Sequence, residues 1–333
     1  MFLRVFLFYF CFVAIAISEP MPTSNLISDE AWAIAYSGFR LGQHPDRGEG
    51  AKNPSESDII EDLDILVKED FKLIRMYDCD QNTQDTLKII RSHQYPIKVL
   101  LGVWLDAEIS NHEGCYWLEE AIPQEELEAN KKSNAKEVIE AIRLCKEYSD
   151  IIVAVNVGNE SLVSWNDHMN TEDGVIGYIQ KIKSEIAQPV TTAEPYYWWR
   201  DYGQKIAAEV DFLGVHIYPL WEGQSIDNAI EYTINGMRDV IKHYPNKQIA
   251  ILEAGWATTA SEFGERAGEA YQKEYYTDLK AWAIENNISV FFFEAFDEPW
   301  KGSSDPEEPE KHWGVFTVDR RPKLVMKELF SHL

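Results

Sequence analysis

The sequence is short of basic residues, cysteine and long apolar runs, and each shortage removes a class of protein. Of 333 residues, 31 are Lys or Arg against 56 Asp or Glu, a formal charge of -25. Such a surface repels nucleic acid and anionic lipid, while a neutral polymer is indifferent to it. The uninterrupted apolar stretch Val5 to Ile17 follows Arg4 and ends in the small-residue pattern Ala16-Ile17-Ser18. It falls short of the ~20 residues of a membrane span and reads as an export signal. Nothing later in the chain could cross a bilayer. The expectation is a signal peptide over residues 1–18, no membrane contact after its cleavage, and a secreted, periplasmic or cell-wall-associated location. No His-Glu-x-x-His and no paired-cysteine spacing suggests a metal, and no cofactor is expected.

With Cys11 inside the leader, Cys79, Cys115 and Cys145 remain. Cys145 shares helical register with Val138 and Ile142 and is expected as a buried core thiol. Cys79 and Cys115 each follow a predicted strand at the same end of the fold. Export permits a disulfide between them, although spacing does not require one.

What the chain does have is a repeating unit. Eight short runs rich in Val, Ile, Leu and Phe read as buried parallel strands: residues 32–38, 71–77, 97–104, 151–157, 189–193, 210–217, 248–253 and 289–296. Amphipathic segments separate most of them. Ile226, Ile230, Ile234, Met237 and Ile241 give the cleanest helical stripe. Asn134 with Glu137 resembles a capping box opening the helix before strand four. The link between strands five and six is a poor helix, with Gly203 in its middle. No linker is visible, and no Gly-x-Gly-x-x-Gly follows the first strand. The pattern predicts an α/β fold, a single (β/α)8 TIM barrel over residues 19–333.

In such a barrel the loops after the strands form the active face. Two glutamates stand there behind apolar runs: Glu160 in Val157-Gly158-Asn159-Glu160 after strand four, and Glu253 in Ile251-Leu252-Glu253-Ala254-Gly255-Trp256 closing strand seven. A glutamate after Ile-Ala-Ile-Leu is not on a solvated helix face. Two carboxyl groups ~5–5.5 Å apart would suit glycoside hydrolysis with retention, one protonating the leaving oxygen and the other attacking the sugar carbon. Glu194, Glu294, Glu298 and Glu310 are rival carboxylates, and strand position alone does not rank them below the chosen pair. His216 ends strand six, placed to hydrogen-bond a substrate or the attacking carboxylate, with Tyr218 alongside. Flat aromatic faces suit pyranose rings. Trp221 and Trp300 are the expected stacking platforms, with Trp198 a third.

Taken together, Ala35-Tyr36-Ser37-Gly38-Phe39-Arg40, Ile74-Arg75-Met76-Tyr77, Leu101-Gly102-Val103-Trp104, Val157 to Glu160 and Thr192-Ala193-Glu194-Pro195 resemble glycoside hydrolase family 17. So do Val215-His216-Ile217-Tyr218-Pro219, Glu253-Ala254-Gly255-Trp256, Phe293 to Lys301 and His312-Trp313-Gly314. The resemblance runs from strand one to the last loop. It implies a retaining (β/α)8 glycosidase with Glu160 as acid/base and Glu253 as nucleophile. It also implies Glu298, Lys301 and Glu310 as polar support around the reacting sugar, with Tyr36 in the same subsite. Asn159 would bond the sugar 2-hydroxyl. Phe-Asp-Glu-Pro-Trp-Lys looks more like the bacterial and fungal-wall branches than the plant enzymes, and Ala-Gly-Trp-Ala replaces the more frequent Thr-Gly-Trp-Pro after Glu253.

The implied activity is cleavage of β-1,3-glucosidic bonds in a polysaccharide or oligosaccharide β-glucan, by a monomer. The alternatives are β-1,3-glucanosyl transfer, a glycosidase preferring β-1,6 or mixed linkages, and a glucan-binding barrel without catalysis. The segment from Asp106 to Asn130 is long for a barrel loop. Its Trp117 and acidic residues would close one end of a cleft, as chain-end attack or transfer requires.

Overall fold

The computed structural model describes residues 27, 30–46 and 50–327. All eight apolar runs become parallel strands, and they close on themselves in chain order. The strands are β1 (Trp32–Ala35), β2 (Leu73–Arg75), β3 (Lys98–Val103), β4 (Ile152–Asn159), β5 (Val190–Pro195), β6 (Phe212–His216), β7 (Gln248–Gly255) and β8 (Val290–Phe293). Closure is made by β1 against β8, with Ile34 opposite Phe292. The expected (β/α)8 barrel is present.

Between the strands run α1 (Glu56–Lys68), α2 (Gln81–His93), α3 (Gln124–Glu147), α4 (Glu172–Lys183), α5 (Tyr196–Asp201), α6 (Gln204–Glu209), α7 (Ile226–His243) and α8 (Glu269–Asn286). A last turn, α9, covers Leu324–Lys327. Residues 328–333 lie outside the described part, as does the whole leader over residues 1–18. Among the described residues no helix is long and apolar enough to cross a membrane.

Two apolar layers result. Inside the ring, Ala33, Ala154, Ala193 and Ala250 alternate with Leu73, Leu100, Leu252, Phe212 and Phe291. Small and large residues interdigitate, so this end of the barrel is a packed core rather than a pore. Outside, the strands' other faces meet the helices, as with Ile59, Leu63 and Leu66 of α1. Ser55 starts that helix: its hydroxyl accepts from Asp58 N–H while the Asp58 carboxylate accepts from Ser55 N–H.

Four expectations about local structure need correction or refinement. Asn134 does not open a helix: α3 begins ten positions earlier at Gln124, behind Pro123, with Glu125 and Glu126 in its first turn. Asn134 is buried and ties down the β3–α3 loop, accepting from Asp106 N–H at 2.8 Å and donating to Asp106 O at 3.0 Å. The polar residue that resembled a cap is a loop clamp. On α7 the fully buried face is Ala229, Thr233, Gly236, Met237 and Val240, while Ile226 and Ile230 flank it half-buried. A helix docks closest where its side chains are smallest. A Cβ at Gly236 would stand 2.6 Å from Ile217 Cδ1. Between β5 and β6 the chain makes two short helices separated at Gly203. Finally, Cys79 and Cys115 are both buried free thiols, so the disulfide is not formed. Cys79 Sγ donates instead to Gly102 O at 3.4 Å. Cys145 is a buried core thiol, as its helical register implies.

Candidate active site

Strand alternation aims some side chains into the barrel mouth without further help. Arg75 lies two residues beyond Leu73, and His216 four beyond Phe212, so both share the inward face of those core residues. Glu253 does not have that phase, because its neighbour Leu252 is the inward residue. A register shift corrects it: Val215 pairs with Ile251, but His216 pairs with Glu253. The extra residue is a bulge that turns the carboxylate toward the axis. Glu160 arrives by another irregularity. The β4–β5 register shifts between Asn156 and Asn159, and Gly158 and Glu160 have φ of 80° and 53°. Glycine suits the first position, where a Cβ would lie 2.8 Å from Ser161 Oγ.

The two carboxyl groups and one imidazole converge. One oxygen of Glu160, one of Glu253 and a ring nitrogen of His216 all lie within 4.8 Å of one another. This belongs with the close carboxyl spacing of double displacement, not with the ~6.5–9.5 Å that leaves room for an attacking water. His216 Nδ1 is 2.9 Å from Glu160 Oε1 and 3.3 Å from Glu253 Oε2. Around Glu253 the donors are dense. Arg75 Nη1 reaches Oε1 at 2.7 Å, Tyr77 OH donates to Oε1 at 3.0 Å, and Tyr218 OH donates to Oε2 at 2.7 Å. Burial by itself would push the Glu253 carboxyl up. The electrostatic influence of the facing His216 ring and of Arg75, with the Tyr218 and Tyr77 bonds, outweighs it and holds the group below its ordinary value. Burial, reinforced by the Glu253 charge, drives both tyrosine hydroxyls well up, so they remain donors.

Arg75 has no exposed surface and spends its donors widely. Nη1 also reaches Leu252 O at 2.9 Å and His216 Nε2 at 3.2 Å, and Nη2 reaches Asn159 Oδ1 at 2.5 Å. A guanidinium cannot accept, so the ring nitrogen facing it carries the lone pair and Nδ1 carries the proton toward the carboxylates. The Glu160, His216 and Glu253 donor set has metal-like spacing. Here the cation opposite Glu253 is already supplied by Arg75.

Of the other expected residues, Asn159, His216 and Tyr218 stand in this cluster. Lys301 forms a second one nearby, with Nζ 2.5 Å from Glu294 Oε2 and 2.9 Å from Glu298 Oε2. Burial would lower the Lys301 pKa; the neighbouring Glu294 and Glu298 charges reverse that and raise it. Glu298 Oε1 in turn accepts from Ser37 Oγ. Glu310 is pushed up to about 7, by burial first, with Lys301 opposing and the Glu253 and Glu160 charges adding. Trp221 is 43% exposed, edge-on to Phe263 at 4.7 Å and 6.5 Å from Trp313. Since Trp313 also meets Tyr218 at 5.1 Å, Trp221 borders the site. Trp300 is half-buried beside Lys301, its ring 5.8 Å from Nζ.

Two expected positions point elsewhere. Tyr36 is buried with its hydroxyl on Asp62 of α1 at 3.3 Å, away from the carboxylate pair. Trp198 is buried edge-on to Trp199 and offers no open face. Sequence reasoning gave no role to Arg75 or Tyr77. The signal was there: an arginine inside Leu73-Ile74-Arg75-Met76 cannot be buried without an anion to meet it.

With this geometry in view, the chain can be compared with known proteins. The family model described as the BtgE/BtgC glycoside hydrolase domain matches residues 33–314. A protein of Arthroderma benhamiae named glucan 1,3-beta-glucosidase is 27% identical over 313 residues, 88% of this chain and 91% of that protein. An Aspergillus niger protein named as a glucan endo-1,3-beta-glucosidase, btgC, is 26% identical over 82% of this chain, which spans only 40% of that longer protein. Among solved structures, an endo-laminarinase from Formosa Hel1_33_131 superposes with a TM-score of 0.76 at 24% identity, over 90% of this chain and 86% of the other. A glycoside hydrolase family 17 beta-1,3-glucanosyltransferase from Rhizomucor miehei gives 0.69 at 22% identity, over 90% and 97%. At such identities the structural likeness speaks for the fold.

Proposed function

This chain belongs to the family of the BtgE/BtgC glycoside hydrolase domain, and on that premise we propose that it is a retaining β-1,3-glucan glycosidase of glycoside hydrolase family 17. The observation that carries the reading is the asymmetric carboxyl pair. Glu253 is kept ionised by Arg75, Tyr77 and Tyr218, and Glu160 stands within 4.8 Å of it.

In the proposed cycle Glu253 attacks the anomeric carbon as Glu160 gives its proton to the departing glycosidic oxygen. A glycosyl ester on Glu253 results. Glu160, now a base, takes a proton from water or from a sugar hydroxyl, and the incoming oxygen releases the ester. Asn159 is oriented by Arg75 for a sugar hydroxyl. Trp221 and Trp300 provide stacking faces. Glu298, Lys301 and Glu310 border the reacting ring. Water as acceptor gives hydrolysis and sugar gives transfer; both chemistries occur among the names of the similar proteins. The leader-like first 18 residues support an exported enzyme, and the same proposal has it work as a monomer on a neutral polymer.

A panel of linkage-defined β-glucans tests the reading. Laminari-oligosaccharides should be consumed, with anomeric retention by NMR, and products longer than the substrate would mark transfer. Turnover of β-1,6 or mixed-linkage substrates alone would replace the linkage assignment.

A further inference from the structure

We propose that Glu194, at the end of β5, is a positioning residue that holds the Glu160 turn in its working conformation while remaining an uncharged carboxylic acid. The inference rests on the reading of Glu160 as acid/base and deepens it.

Among the described residues the side chain of Glu160 has one polar partner, His216, so its direction depends on how its backbone is held. That backbone is unusual, with φ of 53°, a region costly for a side chain larger than glycine's. Two consecutive residues of β5 grip it. Ala193 O accepts the Glu160 N–H at 2.8 Å, and Glu194 Oε1 accepts the Leu162 N–H at 3.1 Å. One bond comes from the strand's own ladder edge, but the other needs a side chain two carbons long ending in an acceptor.

Glu194 is wholly closed off from solvent, and its Oε2 has no hydrogen-bond partner among the described residues. Among the described residues no cation pairs with it, unlike Glu253 with Arg75 or Glu294 with Lys301. A carboxylate there would be a buried, unpaired charge facing Glu160, which is strongly unfavourable. Burial and then the Glu160 charge move its pKa well up, in keeping with a retained proton. As a neutral acid Glu194 steadies the turn without placing a second negative charge against the proposed proton donor.

The test compares Glu194→Gln and Glu194→Leu on two substrates: a laminari-oligosaccharide, whose poor leaving group needs protonation, and a dinitrophenyl β-laminaribioside, whose leaving group does not. Glutamine keeps the acceptor and adds no charge. It should stay within about threefold of wild type, with the alkaline limb of kcat/KM against pH unmoved. Leucine removes the acceptor. It should lose about 10–100-fold in kcat/KM on the oligosaccharide, as expected for a misplaced catalytic group, and under about threefold on the activated substrate. Equal losses on both substrates, or no loss on either, would overturn the proposal. So would an alkaline limb moved by more than about half a pH unit in Glu194→Gln, since that reports an ionised Glu194. If the leucine protein does not fold, the glutamine pH profile decides by itself. Failure of the wild-type enzyme to cleave any laminari-oligosaccharide would instead strike the functional reading beneath.

Discussion

The strand-seven and strand-four sides of the mouth each present one glutamate, and they are built in opposite ways. Glu253 comes off a bulged but continuous strand, is buried, and receives Arg75, Tyr77 and Tyr218 on its two oxygens. Glu160 comes off a turn with left-handed backbone, has His216 as its polar partner, and keeps 15% of its side chain in solvent. The first environment favours a fixed anion. The second leaves a carboxyl group with fewer donors, open to what enters the cleft. On the proposed reading, two chemically identical side chains are prepared for unlike tasks by the number of donors around them.

The comparison can be broken most decisively at the carboxyls themselves. Glu253→Gln should lower kcat by on the order of 10⁴-fold or more on every substrate, because the proposed cycle forms its ester on that carboxylate. Glu160→Gln should lose about 10²–10⁴-fold on oligosaccharides and far less on dinitrophenyl glycosides, where no acid is needed. If both variants respond identically to leaving group, the two environments do not divide the labour as described.

Arg75→Met tests what makes the strand-seven side an anion. Removing one partner of a buried pair costs about 3–5 kcal/mol of stability. The Glu253 pKa should rise, moving the acidic limb of the rate profile to higher pH, with kcat/KM at its optimum down about 10²-fold or more. An unmoved limb measured by steady-state rates across pH 4–8 would show that Arg75 does not set the charge.

Tyr218→Phe asks a smaller question of the same oxygen pair. One hydrogen bond to a charged acceptor, worth about 1.5–3 kcal/mol, predicts a loss of about 10–100-fold in kcat/KM. A loss below about twofold would place that bond outside the reaction.

The smallest expected effect concerns Glu310, which faces both carboxylates. Folded, it keeps its proton to about pH 7, whereas its ordinary value is 4.5. Between those values the unfolded chain binds fewer protons, so this group's contribution makes stability fall as pH rises, levelling above about 7. Glu310→Gln should remove that slope and raise the Tm at pH 7.5, relative to pH 4.5, by about 4 °C. An identical pH dependence of Tm in both proteins would contradict it.

Much of the architecture was legible because parallel strands are buried on both faces. Ile151 to Val155 and Ile249 to Leu252 are apolar without alternation, as strands of a covered parallel sheet are. The stretches ending in Glu160 and Glu253 were therefore readable as strand ends at one mouth. Arg75 was overlooked for the complementary reason: its partner Glu253 lies 178 residues away, and no local pattern announces a long-range ion pair. Asn134 misled because a capping residue and a loop clamp are chemically the same amide. Which backbone groups it meets depends on where the β3–α3 loop lies.

By itself the sequence determined the repeating unit, its number, and the end of the barrel at which acidic side chains would gather, since periodicity and burial are local properties of the chain. The tertiary structure alone decided which way those side chains face. Glu253 turns inward through an extra residue in β7 relative to β6, Glu160 through a turn clamped by β5, and each depends on how neighbouring strands register. Register is a property of pairs of strands. A single chain segment, however clearly patterned, does not contain it.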